Sequence, residues 1–148
     1  MQIKQGKWFE VIVRYDKDGE NGNRKSVKEQ YAFNVASFGE AEVCAIEQLA
    51  PLASGAFDVV NINPAPYNEV FLTSEAEGVF FIVKIEVATV DESHGKEKKT
   101  VQTYLVQAAT LEAARKNTET VLNDSLVDYS FKTITKSKTL EVFDKTDK

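Results

Sequence analysis

From Trp8 to Tyr15 apolar and polar residues alternate, with Phe9, Val11, Val13 and Tyr15 on one side. This is the period-two pattern of a strand with one buried face. Asp16 to Asn23 is rich in Gly, Asp and Asn, which predicts a hairpin loop. Alternation resumes over 27–35, where Glu29 interrupts a face carried by Tyr31, Phe33 and Val35. The period then changes. Phe38, Ala41, Ala45 and Leu49 recur at steps of three and four, the stripe of an amphipathic helix. Ser37 and Glu40 have capping-box spacing, so the hydroxyl can accept from the N3 amide while Glu40 reaches back. Pro51 and Gly55 end the helix. A strand over 57–62 follows. Asn63-Pro64-Ala65-Pro66 breaks it, because proline cannot donate to a ladder, and 68–72 predicts a short closing strand.

The same order then returns. At an offset of 72, Trp8-Phe9 meets Phe80-Phe81, Val11 meets Val83 and Val13 meets Ile85. One extra residue in the second loop shifts the offset to 73, where Tyr31 meets Tyr104, Ser37 meets Thr110, Ala41 meets Ala114 and Leu49 meets Leu122. The offset returns to 72 for Phe57 with Tyr129 and Ile62 with Ile134, and Glu69-Val70-Phe71 meets an identical Glu141-Val142-Phe143. Repeats decide a fold before any other feature does. The expectation is an α+β protein made by tandem duplication of a ββαβ(β) module. Its sheet is mostly antiparallel with two helices packed on it. The first repeat spans 1–72 and the second 73–148, the two forming one compact unit. Second-copy strands are expected near 79–90, 99–108, 127–135 and 138–143, with a helix from about Thr110 to Leu122 and a polar tail from Asp144.

Composition narrows the class. Hydrophobic residues make up 43% of the 148 and charged residues 28%, ordinary values for a globular chain. No run of about 18 apolar residues could span a bilayer. Met1 to Lys7 lacks the apolar core of a signal peptide, and a single cysteine excludes an internal disulfide. A cytoplasmic location is expected. The net charge of −5 argues against general binding of polyanions.

Little chemistry stands out. His94, the one histidine, sits in a loop beside Gly95 without a second metal-ligating neighbour. Cys44 is flanked by Glu40, Glu42 and Glu47, the opposite of the cationic setting that activates a thiol. Asp16-Lys17-Asp18-Gly19-Glu20 fails the calcium-loop pattern, which needs Gly at the sixth position and Glu at the twelfth. Phosphate-loop, dinucleotide, nucleophile-elbow and zinc-protease motifs are absent from the sequence. Neither a catalytic site, a metal nor a cofactor is expected.

Two surfaces could carry binding. On the strand faces opposite the helices, Trp8, Ile12, Phe80, Ile82 and Leu105 form an apolar set, where a free antiparallel sheet would be polar. Either internal packing covers them or a protein partner does. A second set is basic: Lys96, Lys98 and Lys99 in the second hairpin loop, with Lys132, Lys136 and Lys138 on even positions of the late strands. It could serve single-stranded nucleic acid, although interleaved Glu97 and Glu141 fit a solvated face better.

Trp8-Phe9, Val13-Arg14-Tyr15-Asp16, Ser37-Phe38-Gly39-Glu40-Ala41-Glu42, Gly95-Lys96-Glu97-Lys98-Lys99-Thr100 and Glu141-Val142-Phe143 together carry a resemblance. With them the chain resembles a bacterial family of uncharacterised domains of about this length, found in gut anaerobes and their phages or mobile elements. The resemblance implies a bacterial or phage cytoplasmic protein and transfers no active site. The expected function is non-catalytic binding, through a protein partner or self-association. The alternative is a single-stranded nucleic-acid-binding module.

Overall fold

The computed structural model describes residues 1–74, 79–125 and 127–144. Residues 75–78 and the expected polar tail at 145–148 lie outside the described residues. The elements are β1 (Gln2–Lys4), β2 (Trp8–Asp18), β3 (Arg24–Asn34), α1 (Phe38–Leu49), β4 (Phe57–Pro64), β5 (Glu69–Leu72), β6 (Phe80–Asp91), β7 (Lys96–Gln107), α2 (Leu111–Leu122), β8 (Asp128–Lys136) and β9 (Thr139–Asp144). The fold is α+β, with one helix on each of two open sheets. β1 was not expected, since three residues are too few to show a period.

The chain divides into two compact units, and they do not follow the repeat boundaries. One unit comprises Met1–Gln5 and Pro66–Ser137, and the other Gly6–Ala65 and the chain from Lys138. The first holds a five-stranded sheet ordered β1-β5-β7-β6-β8, the second a four-stranded sheet ordered β4-β2-β3-β9. The closing strand of each sequence repeat therefore completes the sheet of the other. β5 pairs in parallel with β7, and β9 in parallel with β3. All other pairs are antiparallel.

The two sheets agree residue by residue. Val11 pairs with Ile62 and Tyr15 with Phe57, while Val83 pairs with Ile134 and Val87 with Tyr129. Both edge pairs carry a register shift at the same place, between Ile12 and Val13 in one sheet and between Lys84 and Ile85 in the other. Such a bulge inserts one unpaired residue and bends the strand. Here the extra residues are Val60 and Lys132. Edge strands use this device to discourage further pairing.

Each helix starts as its sequence dictates. Ser37 Oγ accepts from the Glu40 N–H at 3.2 Å, and Thr110 Oγ1 from the Ala113 N–H at 3.1 Å. Glu40 reaches one residue further back than a standard capping box, accepting from the Ala36 N–H at 2.9 Å. Small residues let α1 lie close on its sheet: Ala41, Ala45 and Leu49 pack onto Phe9, Val11, Val13, Tyr31 and Phe33. In the other unit Ala114 packs onto Phe71, Phe81, Val83, Ile85 and Val106. Thr118, fully buried on α2, satisfies its hydroxyl by donating to the Ala114 carbonyl at 2.8 Å, the usual solution for a helical threonine.

Asn34 joins the two stretches of chain that make the four-stranded unit. Its Oδ1 accepts from the Lys7 N–H at 3.1 Å, and its Nδ2 donates to Asp144 Oδ1 at 3.2 Å. Gly6 passes against it with φ +154, where a Cβ would lie 2.1 Å from Asn34 Oδ1, so only glycine fits.

The strand exchange makes a direct prediction. A chain ending at Ser137 loses amide-exchange protection across Gly6–Ala65, although the cut lies in the second sequence repeat, and keeps it across Pro66–Ser137. Phe143→Ala is the milder form. It removes a ring stacked on Phe33 at 4.9 Å and lowers unfolding stability by about 2–4 kcal/mol, measurable by denaturant titration.

Candidate functional site

The structure separates the residues that the sequence grouped. Trp8 and Phe80 are each 2% exposed and Leu105 is fully buried, while Ile12 and Ile82 are half-buried. These five do not make an exposed patch. Bulk on both sides of a central strand marks a sheet covered on both faces, and a buried strand loses the polar alternation of a one-sided sheet. Trp8, Ala32, Tyr67, Val70, Phe80 and Leu105 are buried yet belong to neither helix-side core.

The six lysines are exposed but share no face. Lys96, Lys98 and Lys99 lie in β7, not in the hairpin loop, because the ladder continues to the Asp91–Lys96 pair. The turn shrinks to 92–95, with Gly95 at φ +62. Lys98 and Lys99 point to opposite sides of the strand, and Lys99 Nζ lies 3.8 Å from Glu86 Oε1. Lys132 occupies the bulge. Beyond it the parity reverses, so Lys136 pairs with Phe81 on the helix side of the sheet. Lys138 already belongs to the other unit. Even numbering does not imply one face across a bulge.

His94 is exposed and Cys44 half-buried. Ser93 Oγ lies 3.0 Å from His94 Nδ1. Among the described residues, no group of three or more His, Cys, Asp and Glu is placed to hold a metal ion.

A polar cluster stands where Glu29 interrupts the apolar face. Glu29 pairs across the ladder with Val13, and Tyr15 and Tyr31 both donate their hydroxyls to Glu29 Oε1, the latter at 3.1 Å. Burial raises the Tyr15 phenol to about 12, and the hydrogen bond and charge of Glu29 add to the effect. Tyr31 is raised as well, chiefly by burial and then by Glu29. At the matching place in the other unit, Tyr104 donates to the neutral Gln102 at 2.5 Å. Burial, and then Glu69, raises its phenol to about 12. These phenols are held neutral, which is a structural role for the carboxylate.

Two further features were not singled out from sequence. The first is the outward side of α1. Val43 and Ile46 are 54% and 46% exposed, and Leu52, in the 3₁₀ turn Ala50–Leu52 after the helix, is 55% exposed. The matching positions are Lys116 and Glu119 on α2 and Ser125 after it, and Glu119 forms an ion pair with Arg115 at 3.1 Å. The signal was present as apolar residues lying outside the buried stripe. The second feature is a cleft of about 360 Å³ beside β9, lined by Phe33, Val35, Cys44, Glu47, Gln48 and Phe143 with Asp144.

A family model for a domain of unknown function, DUF4494, matches residues 7–145. The chain belongs to the DUF4494 family. The match spans elements of both units. No curated protein and no solved structure matches the chain. No described helix is long and apolar enough to cross a membrane.

The tyrosine cluster has a pH signature. A phenol whose pKa is raised in the folded state adds stability that is complete below its unfolded value of about 10. That stability is lost as the pH rises through the folded value, here between about 10 and 12. Absorbance titration at 295 nm is expected to show Tyr15, Tyr31 and Tyr104 ionising late, together with unfolding. Glu29→Gln is expected to lower the Tyr15 and Tyr31 transitions part of the way, because burial remains the larger cause, and to leave Tyr104 unchanged.

Proposed function

We propose that the chain is a non-catalytic binding protein that recognises another protein, or a second copy of itself, through the outward side of α1. One observation carries this reading: the contrast between two helices in matching positions. Their sheet-facing stripes match, Ala41 with Ala114, both buried, and Leu49 with the half-buried Leu122, whereas the outward sides differ at three matching positions. Val43, Ile46 and Leu52 stand where the other module has Lys116, Glu119 and Ser125. A solvated helix is polar or charged on its outer side, as α2 is at Lys116 and Glu119. Exposed apolar side chains grouped on one side mark partner sites.

Tandem duplication of a ββαβ(β) module is part of the same reading. The shared register and the bulge at the same position of both edge pairs support it. The outer side of α1 is then a place where one copy departed from the other. The family resemblance makes the chain a bacterial or phage protein, and the lack of any internal disulfide fits the cytoplasm. A nucleic-acid role draws no support from lysines spread over separate surfaces.

The test exchanges one outer side for the other. Val43→Lys, Ile46→Glu and Leu52→Ser together copy what α2 carries. The folded protein is expected to keep its Tm within a few degrees, because the positions are exposed. It is also expected to lose association that the wild type shows by light scattering at high concentration, or by capture from the cells that make it. Equal association by both proteins overturns the assignment to α1.

A further inference from the structure

We propose that the outer edge of β9 is a peptide-binding site: it takes an extended antiparallel segment of another polypeptide, with an apolar side chain and an amide or basic residue two positions along. The site is separate from the outward side of α1, and the two readings stand or fall independently.

The chain itself supplies the template. β5 and β9 hold matching places, with Val70 and Phe71 beside Leu105 and Val106, and Val142 and Phe143 beside Ala32 and Phe33. The next strand beyond β5 is β1, antiparallel, with Gln2 opposite Leu72, Ile3 opposite Phe71 and Lys4 opposite Val70. Gln5 Nε2 then donates to Glu69 Oε2 at 3.2 Å. β9 offers the same Glu-Val-Phe face at 141–143, yet among the described residues it ends its sheet, paired to β3 alone. Of the other three outer strands, β1 is only three residues long, and the remaining two are treated differently. β4 and β8 carry bulges against their neighbours, and β4 ends in Pro64, devices that deter pairing. The register shift of β9 lies before Val142, so Val142–Asp144 runs regularly along β3. These are the counterparts of the three residues that β1 covers.

The cleft fixes the chemistry of the occupant. A residue opposite Phe143 in an antiparallel pair projects to the same side as Phe143, the side where α1 packs. There the cleft offers Phe33 and Phe143, stacked at 4.9 Å, with Val35 and Cys44, a lining for one aliphatic side chain. Its lining includes Glu47 and Asp144, and Glu141, the sequence counterpart of Glu69, stands exposed at the register shift before Val142. An apolar residue with an amide or basic residue two positions along, on the same side of the strand, matches this arrangement, as Ile3 and Gln5 do on the matching edge. Backbone bonds give such strand addition its affinity, and the pocket its specificity.

The probe is a capped peptide with the sequence of residues 1–7, added at millimolar concentration to the full isotope-labelled chain. Saturable amide shifts are expected at Glu141–Asp144, and at Cys44 and Gln48 across the cleft. Ile3→Asp in the peptide abolishes them, and Glu141→Lys in the protein weakens binding by about tenfold, as loss of a charge-assisted bond does. To remove dependence on a short peptide's affinity, the same seven residues are attached after Lys148 through a flexible linker, which sets a millimolar effective concentration. Slowed exchange of the Val142–Asp144 amides and a raised Tm are then expected, both cancelled by the Ile3→Asp change in the attached copy alone. An attached segment that stays unprotected overturns the proposal. So do shifts confined to the edges of β4, β8 or β5, or a free protein already dimeric with its β9 amides protected, since the edge then serves a second copy.

Discussion

Two parallel strand pairs, β9 on β3 and β5 on β7, decide the organisation of this chain. A parallel pair cannot close through a tight turn and needs a crossover. Among the described residues the β5–β7 crossover holds only β6, whereas the chain from β3 to β9 runs through α1, β4 and most of the other unit. Asn34 and Asp144, joined by one hydrogen bond, are 110 positions apart. The entropy of closing such a loop rises only slowly with length, so the arrangement costs little in stability. It costs more in time, because distant pairing must precede much of the core burial that rewards it. The hairpins β2–β3 and β6–β7 are local and suited to form early. The closing strands, whose register depends on them, are suited to form late.

Within this frame the two modules keep what packing demands and differ where packing is indifferent. Both helices set a small residue, Ala41 or Ala114, against the sheet and place a leucine near their end. The edge bulges coincide to the residue. Differences fall on the outer side of the helices and in the polar cluster, where Glu29 between two phenols stands against Gln102 beside one. A charged acceptor strengthens hydrogen bonds to both phenols, while the neutral amide serves a single tyrosine. The unit built on α1 thus carries Val43, Ile46 and Leu52, the tyrosine pair and the cleft.

Local structure was legible in the sequence because it depends on neighbours. The alternation over 8–15, the Ser37 cap and the helix start near Thr110 each act within a few residues, and each lies where it was expected, while β4 runs two residues further than expected, through Pro64. What escaped depends on distant partners. One unpaired residue at Lys132 reverses the parity of its strand, and no periodicity reveals that without the opposite strand. Trp8, Phe80 and Leu105 alternated like an exposed face because alternation reports two sides, not what covers them. Gln2–Lys4 forms a strand only because β5 offers an edge. The apolar residues outside the α1 stripe were in plain view, and only the matching helix gave them a standard of comparison.

The exchanged strands also change what a break in the chain means. The polypeptide passes between the units at three places, near 5–6, 65–66 and 137–138, so one nick at any of them leaves the units covalently tied. A cut between Leu72 and Val79 is different. It yields two fragments, each lacking the strand that finishes its own sheet and carrying the one its counterpart needs. Such fragments are mutual complements, and a protein divided there behaves as a split pair whose reassembly is itself the act of folding.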